Sequence, residues 1–109
     1  MARISTHVLD VELGRPAPGI PVELRRDGAL LSTARTNSDG RTDRPLLSAE
    51  QLDPGYYELI FRTGEYLKSR EAAPFYDDIA VRFAVSDGAG NYHVPLLLAA
   101  HGYSTYRGS

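Results

Sequence analysis

The chain has 109 residues, 42% hydrophobic and 24% charged, a length that supports one domain, residues 1–109, around a single core. Twelve Lys and Arg against fourteen Asp and Glu leave a net charge of −2, so no nucleic-acid or anionic-membrane partner is expected. There is no cysteine, which excludes thiol nucleophiles, disulfides and Cys-based metal centres. The longest apolar run, Leu96-Leu97-Leu98-Ala99-Ala100, falls far short of the roughly twenty residues of a membrane helix. The opening Met1-Ala2-Arg3-Ile4-Ser5 lacks the basic-then-apolar layout of a secretory signal, and a soluble, cytoplasmic protein is expected.

Ten glycines and seven prolines divide the chain into short segments that mostly alternate with period two, the pattern of β-strands. Ile4 to Asp10 is the first strand, with Ile4, Thr6 and Val8 on one face and Ser5, His7 and Leu9 on the other. Ile20, Val22 and Leu24 then share a face. Asp27-Gly28 supplies a hairpin turn, and Ala29 to Arg35 runs back. A second turn falls at Asn37-Ser38-Asp39-Gly40, where Asn and Asp close local hydrogen bonds and Gly tolerates positive φ. Asp53-Pro54-Gly55 introduces a strand over Tyr57 to Arg62. Gly64 to Glu71 is the best helix candidate, about two turns long and ended by Pro74. Ile79 to Val85 alternates again. Asn91 to Leu98 reads as a strand in which Pro95, lacking an N–H, calls for an edge or a bulge. Gly102 to Tyr106 closes the list. About seven or eight strands and one short helix suit an all-β, two-sheet sandwich.

Chemistry has few carriers. His7, His93 and His101 are the only histidines, and imidazole is the side chain that exchanges a proton near neutral pH without special tuning. Taken singly, His7 reads as a solvated strand residue, His93 as a half-buried imidazole and His101 as an exposed turn. Arg41 follows the Asn37–Gly40 turn and would present its guanidinium at a strand start, although eleven of the twelve basic residues are Arg. The final Tyr106-Arg107-Gly108-Ser109 differs from an ordinary frayed tail, since tyrosine and arginine suit stacking and anion contacts. Phosphate-loop, His-Glu-x-x-His, Gly-x-Ser-x-Gly and EF-hand patterns are absent.

Several separated blocks together resemble the transthyretin-related family, and within it the 5-hydroxyisourate hydrolase branch. They are Ser5-Thr6-His7-Val8-Leu9-Asp10 with Gly14-Arg15-Pro16-Ala17, Thr36-Asn37-Ser38-Asp39-Gly40-Arg41-Thr42, Tyr92-His93-Val94-Pro95-Leu96-Leu97-Leu98, and Gly102 through Ser109. The terminal Tyr-Arg-Gly-Ser is the feature that separates the hydrolases from the hormone-carrying transthyretins. The resemblance implies a transthyretin-like (prealbumin-like) sandwich and a homotetramer with active sites at the dimer–dimer interface. It also implies catalytic residues at His7, Arg41 and His93, with Tyr106, Arg107, Gly108 and Ser109 binding substrate in the same cleft. The implied reaction adds water to 5-hydroxyisourate with no cofactor and no metal. Three rivals stand beside it: a small-molecule carrier of the transthyretin type, a zinc hydrolase in which His101 joins the other two histidines, and a structural or adhesion sandwich.

Overall fold

A computed structural model describes residues 1–109. The strands are β1 (Ala2–Asp10), β2 (Arg15–Pro16), β3 (Pro21–Arg26), β4 (Ala29–Arg35), β5 (Leu47–Ala49), β6 (Gly55–Phe61), β7 (Ile79–Val85), β8 (Asn91–Ala99) and β9 (Gly102–Thr105), with one helix, α1 (Gly64–Ser69). One sheet runs β4-β3-β6-β7. The other runs β2-β1-β8-β9, with β5 added against β1. The two-sheet sandwich with one short helix is therefore as expected, and β2 and β5 add two strands too short to show a period.

Period-two alternation builds the core. On β1, Ala2, Ile4, Thr6, Val8 and Asp10 point inward, and on β8 so do Tyr92, Val94, Leu96 and Leu98. From the facing sheet come Val22 and Leu24, then Tyr57, Leu59 and Phe61, then Ile79 and Val85. Burying one such Leu or Phe contributes about 1.5–3 kcal/mol, so a one-residue slip of either central strand is heavily disfavoured. β1 and β8 pair in parallel, with Ser5 beside His93 and His7 beside Pro95. That register leaves Ser5 and His7 of β1, and His93 of β8, on the outer face of the sheet.

One expectation is corrected and one is narrowed. The helix ends at Ser69, before Glu71 and well before Pro74. Glu71 turns to φ 63°, its N–H bonds to the Lys68 carbonyl and the Ala72 N–H bonds to that of Leu67, so backbone capping stops the helix and proline is not needed. Pro95 is not on an edge strand, because β8 lies between β1 and β9, and the edge it calls for is a local one on the β9 side, where β9 pairs only from Leu96 on. Gly108 N–H donates to the His93 carbonyl from the β9 side, so two residues on, Pro95 turns its missing donor to that side as well. There the β8–β9 ladder, paired from Leu96–Thr105 to Ala99–Gly102, breaks off and resumes as an isolated bridge at His93–Gly108. The Pro95 carbonyl takes the Thr105 hydroxyl at 2.7 Å.

Candidate active site

A cleft of about 640 Å³ opens on the outer face of the β1–β8 pair. Arg3, Ser5, His7 and Leu9 enter it from β1, and Asn91, His93 and Pro95 from β8. Parallel pairing brings these two rows together although they lie 88 residues apart in sequence, as Ser5 and His93 show by a hydrogen bond of 2.9 Å between Oγ and Nδ1.

Arg41 reaches the cleft through its turn. The Asn37 side-chain oxygen accepts the backbone N–H groups of Asp39 and Arg41, and Asn37 N–H bonds back to the Arg41 carbonyl at 2.7 Å. Gly40, at φ 75°, lies so close to the Val8 carbonyl that a Cβ would collide with it. The closed turn sets Arg41 in an antiparallel bridge with His7. It also aims the Asp39 carbonyl at His7, whose Nε2 lies 2.9 Å away. A carbonyl only accepts, so Nε2 carries the proton and Nδ1 is left with its lone pair in the neutral ring.

His93 stands half-buried on the β8 side of the cleft. Burial first, then the charges of Arg41 and His7, hold its imidazole below the ordinary value of 6.5 and favour the neutral form. Above it lies the tail: Gly108 presses on the ring, with the position of a Cβ only 2.6 Å from His93 Cδ2. Arg3 and Arg41 line the cleft together with the two imidazoles, and no Asp or Glu side chain does, so it is suited to an oxygen-rich ligand.

Of the seven residues marked in the sequence, His7, Arg41, His93, Tyr106, Gly108 and Ser109 line this cleft. Arg107 does not. Its guanidinium turns to the other side of β8 and lies 4.4 Å from the centroid of the Tyr92 ring. Arg3 and Asn91 also line the cleft but were not marked in the sequence. Alternation could have found them, since each stands two or four residues from a marked histidine on the same strand face. His101 is elsewhere, at the β8–β9 turn against Phe75 with ring centroids 6.4 Å apart, and no three His, Asp or Glu groups converge as a metal site would require.

Known proteins agree with this architecture. The profile described as the HIUase/Transthyretin family matches residues 4–108. "5-Hydroxyisourate hydrolase 2" of Rhizobium meliloti is 46% identical over 98% of this chain and 96% of its own length. The 5-hydroxyisourate hydrolase of Halalkalibacterium halodurans is 47% identical over 98% of each. Among solved structures, Klebsiella pneumoniae 5-hydroxyisourate hydrolase superposes with a TM-score of 0.89 at 35% identity over the full length of both chains. Sea bream transthyretin in complex with thyroxine gives 0.86 at 25% identity, over 97% of this chain and 94% of its own. Sandwich topology, sequence blocks and relatives coincide along nearly every residue, and the chain belongs to the HIUase/Transthyretin family.

Proposed function

We propose that this protein is a hydrolase that opens the ring of 5-hydroxyisourate with water, giving 2-oxo-4-hydroxy-4-carboxy-5-ureidoimidazoline in urate degradation. The observation that carries the reading is the convergence of His7, Arg41 and His93 in one cleft with no acidic side chain on its wall. Relatives named for this activity are 44–47% identical over nearly the whole chain, against 25% for the thyroxine-bound transthyretin, which makes the carrier reading the weaker one.

Cleavage of an amide-like bond needs a base for water, a donor for the developing oxyanion and a proton for the leaving nitrogen. His93, biased toward neutrality, is assigned as the base. It takes a proton from water as the water oxygen bonds to the ring carbonyl carbon. Arg41 offers its planar fork to the oxygen that becomes negative. When the tetrahedral adduct collapses, the carbon–nitrogen bond breaks, the nitrogen takes the proton held by the imidazolium, and a carboxylic acid remains that ionises in water. His7, fixed through Nε2 to Asp39, keeps Nδ1 as an acceptor that orients the water. Tyr106, Gly108 and Ser109 close the cleft around the ring. Arg107 is assigned a supporting part, since it stands off the cleft wall.

The finer assembly is also a proposal: a cytoplasmic homotetramer whose active sites lie where dimers meet. The open outer-face cleft and the exposed Tyr106, Leu30 and Leu31 support it. The test of the reaction uses urate oxidase to generate the unstable substrate in place and follows its ultraviolet absorbance. The wild-type protein is expected to speed the decay well beyond the spontaneous rate. His93→Gln and Arg41→Gln should each lower turnover by about two to three powers of ten. Decay at the spontaneous rate with folded wild-type protein would reject the assignment.

A further inference from the structure

The terminal residues form a strand-like run whose side chains alternate across β8. Gly108 faces the cleft and meets the His93 ring, while Arg107 falls on the opposite side, at the open mouth between the sheets beside Val81, Phe83 and Val94. Its guanidinium lies over the Tyr92 ring at 4.4 Å and donates to the Asn91 carbonyl at 3.3 Å. Tyr92 is itself fixed, buried and bonded through its hydroxyl to the backbone of Asp87 at 2.9 Å. The tail needs such an anchor because Pro95 interrupts the ladder just before it. Between the Thr105 hydroxyl on Pro95 and the Gly108 N–H on His93, the side chain of Arg107 is the chief tie to the sheet.

We propose that Arg107 is a positioning residue: clamped on Tyr92, it holds Gly108 against the His93 ring and touches no substrate. A guanidinium over a tyrosine face is attracted by the ring quadrupole, and the planar group loses little freedom when it stacks. Its anchor, Tyr92, is the chain neighbour of His93 on β8. The clamp therefore couples the tail directly to the strand that carries the proposed base, and its loss would release the wall of the cleft without removing a group from it.

The inference rests on the proposed reaction for its kinetic arm only. Arg107→Met is expected to lower kcat about 10- to 100-fold while KM changes little, since misplacement of a reacting group by about 1 Å has that effect. Tyr92→Leu should lower kcat by less in the Arg107→Met background than in the wild type, because both changes remove the same contact. In amide hydrogen exchange without substrate, Arg107→Met should speed exchange of the Gly108 N–H about tenfold, the order expected when a cation–π contact is lost. A raised KM at unchanged kcat would instead make Arg107 a direct substrate ligand. Unchanged exchange at Gly108 would show that the tail is held without it. If the Tyr92 variant fails to fold, the Arg107→Met exchange measurement decides the matter alone. An inactive wild-type protein would sink the reaction and leave that measurement standing.

Discussion

An imidazole in water loses its proton near pH 6.5, and His93 is built to lose it sooner. Burial removes the solvent that would stabilise the cation, and Arg41 and His7 add charge to the same cleft. The sign of the pH dependence follows: a base must be neutral to act, so activity should hold at neutral pH and fall only as pH drops through a midpoint below 6.5. Ring-proton NMR of His93 against pH should show that midpoint, and Arg41→Gln should move it upward toward 6.5. A wild-type midpoint at or above 6.5 would remove the physical reason for choosing His93 as the base. The sequence named both histidines and the arginine through their motifs but could not rank them. Ranking depends on burial and on the charges of Arg41 and His7 beside His93, a grouping that exists only once β1 and β8 pair.

At the scale of elements, α1 is a six-residue helix that cannot persist alone. It is tied to the end of β1 by Asp10, whose fully buried carboxylate accepts the Tyr66 hydroxyl at 2.6 Å, pairs with Arg70 Nε at 2.8 Å and takes the N–H groups of Glu12 and Leu13 at 3.0 Å. Burial pushes the Asp10 carboxyl up, but the Tyr66 hydroxyl, the backbone donors and Arg70 outweigh it and hold it below its ordinary value. Burial and Asp10 push Tyr66 up to about 12, so it remains a donor at physiological pH. Asp10 thus contributes stability that is present above its ordinary value of 3.8 and is lost as pH falls through the lowered one. Asp10→Ala leaves the Tyr66 hydroxyl and two backbone donors unpaired and takes from Arg70 one of its two carboxylate partners, and should cost about 3 kcal/mol, read as a shift of the urea midpoint at pH 7. A loss under about 1 kcal/mol would show that the network is incidental to stability. The strands were legible because alternation over six or more residues has one good explanation. The end of α1 was not, since nothing in Arg70-Glu71 announces that a glutamate will take a left-handed turn.

For the whole molecule, the outer face of one sheet carries the cleft of the proposed chemistry while the space between the sheets carries the core, and the two are separable because inward and outward residues alternate on the same strands. This explains why the site was read as a set of residues but not as a surface: which face of β1 meets which face of β8 is a property of topology. A cleft on an outer face is open to water, where a guanidinium and two imidazoles lose most of their electrostatic effect on a bound ring. A second copy laid over that face would exclude water and strengthen each contact without altering a single residue. In the proposed tetramer, turnover per subunit should therefore be constant at high concentration and fall on dilution, in step with dissociation observed by analytical ultracentrifugation. Monomers that retain full turnover per subunit would show that one chain holds a complete site, and the interface would then have no part in the chemistry.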